Sequence, residues 1–218
     1  MIQIIPSILT SDPNEARELI ARCEGVVDRI SIDIIDGKFA PNKTVEPDIF
    51  FDLDTKLKID YQLMVDEPIN WVEKCIKGGA DRIIGHVEKM SDQIAFMAKV
   101  QEVGVQVGLA LDLPTPVSAI DELILNNLDI VLVMSVPAGF GGQNFDEKVL
   151  KKIVKLDEIR SRDKSPFRIQ DDGGIVLSEI DDAHFAGADE ASIGRRLFEG
   201  DLADNIRKFQ MAAHKLKL

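Results

Sequence analysis

Cysteine is nearly missing from this 218-residue chain; Cys23 and Cys75 are the two it has. They sit in separate segments of helical pattern, with neither metal-ligand nor redox spacing. That reads as two buried thiols of a reducing compartment. Long hydrophobic runs are missing too. No apolar stretch approaches the ~20 residues of a membrane-spanning helix. The opening Met1-Ile-Gln-Ile-Ile-Pro6 lacks the basic start of a secretory leader. A cytoplasmic protein without a membrane partner is the expectation. Positive charge is scarce: 26 Lys and Arg against 38 Asp and Glu leave a formal charge of −12. A surface of that sign repels nucleic acid and anionic lipid. An anionic ligand then needs a local cradle of backbone N–H groups or arginines. Linkers and low-complexity tracts are also absent, so one domain over residues 1–218 is expected. An apolar fraction of 45% suffices to build its core.

What the chain does have is alternation. Short apolar runs at 3–6, from 29, and at 59–65, 82–86, 105–109, 130–136, 167–170 and 190–193 read as strands. Between them lie segments of helical spacing at 14–24, 69–77, 91–103, 117–125, 148–161, 179–186 and 202–217, with a short irregular helix at 45–53. Thr10-Ser-Asp-Pro13 opens the first with a Ser/Asp cap and an early proline, and Ser91 caps the third. Gly78, Gly104 and Gly187 stand where helices stop. Eight such strand–helix units favour the α/β class and a single-domain (β/α)8 barrel of parallel strands. An open doubly wound sheet is the alternative.

In a barrel of this kind the chemistry lies where strands run into the loops that follow them. The second strand, Arg29-Ile-Ser-Ile-Asp33, ends there. Ile30, Ile32 and Ile34 face one side, and Ser31 and Asp33 the other. A charge at Asp33 is costly to bury without a partner; the plainer reading is a turn or capping aspartate. Other strand ends carry Ser7, Gln62 and His86. Gly173 and Gly174 follow the seventh strand and Gly194 the eighth. That is the common place for a phosphate held by backbone N–H groups. Taken singly, these glycines are ordinary tight turns. Gly139-Phe140-Gly141-Gly142-Gln143 adds a third loop on the same face, with the composition of a mobile lid. Asp172 lies across the mouth from Asp33. Two such carboxylates can take a proton from one face of a carbon and return one to the other. Asp171 adjoins Asp172 and either can face inward; alternation from Ile169 puts Gln170 and Asp172 on one face.

These motifs, in this order and spacing, resemble the ribulose-phosphate 3-epimerase family from end to end. The matching stretches are Pro6-Ser-Ile-Leu9, Asp33-Ile-Ile-Asp-Gly-Lys-Phe-Ala-Pro-Asn42, Leu63-Met-Val65 and Gly79-Ala-Asp81 with His86 and Glu88. They continue through Met134-Ser-Val136, Gly139-Phe-Gly-Gly-Gln143, Asp172-Gly-Gly-Ile175 and Gly187-Ala-Asp189 with Gly194 and Phe198. The resemblance implies a homo-oligomeric isomerase of the pentose phosphate pathway on a ribulose-phosphate-binding barrel. Its substrate would be a phosphorylated ketose, with D-ribulose 5-phosphate and D-xylulose 5-phosphate interconverted. It implies Asp33 and Asp172 as the proton acceptor and donor, and Ser7, Met64 and Met134 against the substrate. The phosphate would fall on Gly139, Phe140, Gly141, Gly142, Gly173, Gly174, Gly194 and Arg195.

The departures from that family are large. Its members hold a divalent metal between two histidines and the two aspartates. Here the histidine positions are Ser31 and Gln62, which leaves Asp33 and Asp172 with neutral oxygen donors. Such a set suits at best a weakly held magnesium, calcium or manganese. The Gln62 N–H and Ser31 O–H can donate to the same oxyanion in the metal's stead. Lys38 and Ile35 stand where the family has His and Met, Arg195 replaces a serine, and Pro137-Ala138-Gly139 moves a proline by one. Arg195 can clamp a phosphate bidentately or fill its pocket. His86 is expected to pack rather than bind metal, and Tyr61 to pack against the outer helices. The alternatives are an epimerase or isomerase for another phosphorylated ketose, and a non-catalytic sugar-phosphate-binding paralogue.

Overall fold

A computed structural model of the chain describes residues 2–164 and 167–214. The strands are β1 (Gln3–Ile8), β2 (Arg29–Ile35), β3 (Lys58–Met64), β4 (Ala80–His86), β5 (Gln106–Leu111), β6 (Ile130–Met134), β7 (Arg168–Asp172) and β8 (Glu190–Ile193). Each pairs in parallel with the next and β8 returns to β1, so the sheet closes into an eight-stranded barrel rather than staying open. The helices are α1 (Pro13–Cys23), α2 (Val72–Lys77), α3 (Gln93–Glu102), α4 (Lys148–Asp163), α5 (Ile180–Ala186), α6 (Arg195–Phe198) and α7 (Leu202–Ala212). Among the described residues no helix is long and apolar enough to cross a membrane.

Strand alternation splits the interior in two. Ile30, Ile32 and Ile34 of β2, Tyr61 and Leu63 of β3 and Val131 and Val133 of β6 pack outward with helix residues such as Ile20, Val100 and Ile153 in the main core. The expected place of Tyr61 is correct, and its hydroxyl donates to the Gly78 carbonyl at 2.8 Å. Cys23 and Cys75 are buried, free thiols. Inside the barrel the middle is filled by a smaller apolar set that includes Ile84, Ala110, Ile130 and Leu132. At the N-terminal end of the strands, Arg82 reaches across from β4 to Glu190 on β8 at 2.6 Å and also meets Asp60. Arg29 pairs with Asp60 as well, and Arg168 with Glu190 at 3.0 Å.

Several local expectations are corrected. The segment at 117–125 is no α-helix; it forms two short 3-10 turns, Val117–Ala119 and Leu125–Asn127. Its buried Ile120, Ile124 and Leu128 keep helical spacing. However, the Gln93 side chain takes the Asp121 N–H at 2.9 Å and donates to the Ala119 carbonyl at 2.7 Å. Tertiary hydrogen bonds thus replace helical ones. Asp92 rather than Ser91 caps α3, accepting from the Ala95 N–H at 2.9 Å. The Ser91 hydroxyl instead donates to Glu67 at 3.0 Å. The expected helix at 45–53 reduces to one 3-10 turn, Pro47–Phe50. The end expected for the last helix, Lys217, lies outside the described residues.

Candidate active site

The C-terminal ends of β1, β2, β3, β4, β6 and β7 bring Ser7, Asp33, Gln62, His86, Met134 and Asp172 together. β1 and β2 both run further than their apolar cores suggest, so Ser7 stands on a strand and its hydroxyl donates to Asp33 Oδ2 at 2.9 Å. The Thr44 hydroxyl donates to the Asp33 carbonyl at 2.7 Å and accepts the Ile35 N–H at 2.8 Å, which pins the end of β2. Asp172 is the last residue of β7 and faces inward, as alternation implied. Asp171 turns outward into the layer beneath the helices, where both its oxygens lack a hydrogen-bond partner among the described residues.

Asp33 and Asp172 are buried, at 4% and 8% exposure, and neither makes an ion pair among the described residues. Burial pushes the Asp33 carboxyl well above the usual carboxylate range; the Asp172 charge adds to this and the Ser7 hydroxyl opposes it. Burial pushes Asp172 up to about 6, with the Gln62 amide and the His86 ring opposing. Two like charges held this close cannot both ionise easily, so near neutrality the pair shares one proton. One carboxyl is then a base and its partner an acid, which is what removal and return of a proton require.

Gln62 crosses the barrel to donate its Nε2 to Met134 Sδ at 3.1 Å and lies 3.2 Å from His86 Nε2. His86 Nδ1 is 3.1 Å from Glu88 Oε2. His86 packs, as expected, edge-on to Phe39 with ring centroids 5.0 Å apart, and it carries this pairing as well. The signal was there in the alternation of Arg82, Ile84 and His86, which aims the histidine inward at the active end of β4. Met64 is buried beside Ile35 and Ala40 on the same rim. Ser31 is fully buried two residues below Asp33, and its hydroxyl has no partner among the described residues.

Those residues can be tested against the family's metal. A serine hydroxyl ends one bond beyond Cβ and stops short of where an imidazole nitrogen reaches. Gln62 presents N–H groups rather than a lone pair to His86 and Met134, and both ring nitrogens of His86 are engaged. Among the described residues no group of three His, Cys, Asp or Glu side chains is placed to hold an ion. The residues present do not fit a two-imidazole, two-carboxylate centre.

Three glycine loops flank the acids. Gly139 has φ +111, and a Cβ there would lie 2.4 Å from Ala40 Cβ. Gly174 has φ +64, and a Cβ would lie 2.5 Å from the Phe145 N–H nitrogen. Only glycine lets these loops approach one another this closely. The Asn42 side chain donates to the Gly139 carbonyl at 2.8 Å, and Gln143 folds back on the Pro137 carbonyl at 2.7 Å. Phe140, at the tip, is exposed. Gly173 and Gly194 follow β7 and β8, and α6 starts at Arg195. Arg195 Nη2 lies 3.4 Å from where a Cβ on Gly141 would stand, and 3.5 Å for Gly142. It makes no ion pair among the described residues, so it is a free guanidinium over the glycine loop. Lys38 is exposed and pairs with Asp66 at 3.2 Å, away from the acids.

Comparison with known proteins agrees with this geometry. The model of the ribulose-phosphate 3 epimerase family matches residues 3–198. A ribulose-phosphate 3-epimerase of Bacillus subtilis is 36% identical over 182 residues, covering 80% of this chain and 82% of that protein. One from Aquifex aeolicus is 33% identical over 211 residues, covering 95% of each. A chloroplastic ribulose-5-phosphate-3-epimerase of Arabidopsis thaliana is 34% identical over 212 residues, covering 94% of this chain and 75% of that protein. The chain belongs to the ribulose-phosphate 3-epimerase family and is an isomerase, an epimerase acting on carbohydrate.

Proposed function

We propose that the protein interconverts D-ribulose 5-phosphate and D-xylulose 5-phosphate through Asp33 and Asp172. The observation that carries this reading is the pair of buried carboxyls, both raised by burial and Asp33 also by the charge of Asp172, at a mouth rimmed by glycine loops. Asp33 takes the C3 proton of ribulose 5-phosphate, and the C–H electrons flow to the C2 oxygen to give an enediolate. Asp172 then gives a proton to the opposite face of C3, the carbonyl re-forms, and xylulose 5-phosphate results. The reverse reaction exchanges the two roles. The Ser7 hydroxyl donates to Asp33 and the Gln62 amide favours the charged form of Asp172, so each acid has a polar neighbour that supports its anionic turn.

The phosphate belongs on the backbone N–H groups of Gly141, Gly142, Gly173, Gly174 and Gly194, with Arg195 closing over it. Met64 and Met134 wall the apolar side of the sugar. The two buried free thiols support a reducing, cytoplasmic location. The free guanidinium of Arg195 also favours a second reading, an epimerase for another phosphorylated ketose, which a substrate panel separates by its kcat/KM ranking.

The test is C3 proton exchange in D2O, followed by NMR on ribulose 5-phosphate. Wild-type protein is expected to exchange and to form xylulose 5-phosphate. Asp33→Asn and Asp172→Asn are each expected to lower turnover by about 10²–10⁴-fold with the fold intact. Near-normal turnover in either variant sinks the assignment.

A further inference from the structure

We propose that Gln62 stabilises the enediolate in place of a metal ion, and that His86, itself held by Glu88, is the positioning residue that aims it. This rests on the epimerase reading and adds to it the source of the electrophile.

The chain of contacts decides which end of the Gln62 amide faces where. Glu88 is ionised: burial opposes this, but His86, through its hydrogen bond and its charge, and hydrogen bonds from Thr115 and the Asp112 N–H hold its carboxyl down at about 2. A carboxylate only accepts, so His86 Nδ1, 3.1 Å from Glu88 Oε2, carries the ring proton. Gln62 Nε2 carries only hydrogens, so His86 Nε2, 3.2 Å away, is the acceptor of this contact. One amide hydrogen is thereby fixed, and the other points at Met134 Sδ, 3.1 Å away.

A thioether is a weak acceptor. An enediolate oxygen in its place is a far stronger one, so the N–H gains most once charge has developed. Gln62 is also well placed for this. It pairs in register with Asp33, and its amide favours the charged form of Asp172, so its side chain shares the mouth with both acids. Gln62 Oε1 is buried without a partner among the described residues and is left to accept a substrate hydroxyl. Ser31 does not share the role, because it pairs in register with Asp60, one repeat deeper in the barrel.

Glu88 is fixed from a second side. Its Oε1 accepts the Asp112 N–H at 2.7 Å, and Asp112 Oδ1 accepts the Ala138 N–H at 2.7 Å. The same carboxylate thus anchors both the histidine and the base of the glycine loop.

The experiment combines metal analysis, kinetics and imidazole NMR on the full chain. Protein as purified is expected to hold zinc, manganese and magnesium far below one per chain, and to keep its kcat after chelation. Gln62→Met is expected to lose about 10²–10³-fold in kcat. His86→Asn is expected to lose about 10–100-fold in kcat, with KM moved less than about threefold. The double variant should be no slower than Gln62→Met alone, because His86 acts through Gln62. His86→Gln, a second variant, should fall with His86→Asn at unchanged melting temperature. In wild type the ¹⁵N spectrum should show the Nδ1–H tautomer, and Gln62→Met should shift the Nε2 resonance toward that of an unbonded nitrogen. Additive losses, wild-type kcat in His86→Asn, or exchange that returns only on metal reloading overturn the proposal. Wild-type protein that never exchanges the C3 proton overturns the epimerase reading instead.

Discussion

Asp60 and Glu190 at one end of the barrel, and Asp33 and Asp172 at the other, are all buried acids, yet only the first pair meets cations. Arg29 and Arg82 enclose Asp60, and Arg82 and Arg168 enclose Glu190. The second pair has a hydroxyl, an amide and an imidazole. Burial lifts an acid at each end: Asp60 to about 6 against the pull of Arg82 and Arg29, and Asp172 to about 6 against Gln62 and His86. The difference therefore lies less in the proton's affinity than in what surrounds it. At the closed end, guanidinium groups fill the space and Asp60 has no exposure. At the open end no Lys or Arg reaches the pair among the described residues, and the acids touch the mouth. One end is built for stability; the other, on the proposed mechanism, serves proton transfer.

The comparison breaks most visibly at Arg82. Arg82→Met leaves Asp60 and Glu190 facing each other, and should cost about 3–5 kcal/mol of unfolding free energy in a urea titration. The kcat of the folded fraction should stay within about twofold of wild type. A stable variant that has lost activity would mean that the closed end is not merely structural.

The next effect is expected at Asp171, a further buried acid with neither cations nor access. Burial pushes its carboxyl up to about 8. A raised folded-state value means that this group's contribution is fully present below its ordinary 3.8 and is lost as pH rises through about 8. Asp171→Val should therefore gain about 2–4 kcal/mol at pH 8 and little at pH 4, with turnover unchanged. Equal gains at both pH values would show that packing, not ionisation, is responsible.

The smallest effect is expected at the rim. Arg195→Ser should raise KM for the sugar phosphate by about tenfold, as one charge-assisted hydrogen bond is worth roughly 1.5–3 kcal/mol. Its kcat and melting temperature should hold. A lower KM would show that the guanidinium crowds the phosphate instead of clamping it.

How much of this could be read from the chain follows from what is local. Alternation at Ile30, Ile32 and Ile34, caps such as Asp12, and the glycine loops are set by neighbours in sequence, and they were legible. So was the inward turn of Asp172, by counting from Ile169. The histidine pairing was not, since His86 and Gln62 are 24 residues apart and meet only once β3 and β4 lie side by side. Nor was the broken crossover at 117–125, where Gln93 overrides a helical pattern from 28 residues away.

Eight strands alternating with helices, two acids at strand ends and the loops around them follow from local pattern, because periods and turn chemistry act over a few residues. Which acids meet arginines and which meet an amide depends on contacts distant in the chain. Arg82 and Glu190 stand 108 residues apart, and barrel closure alone makes them neighbours. Burial, which raises the carboxyls enough to move a proton, is likewise a property of the closed barrel and not of any segment in it.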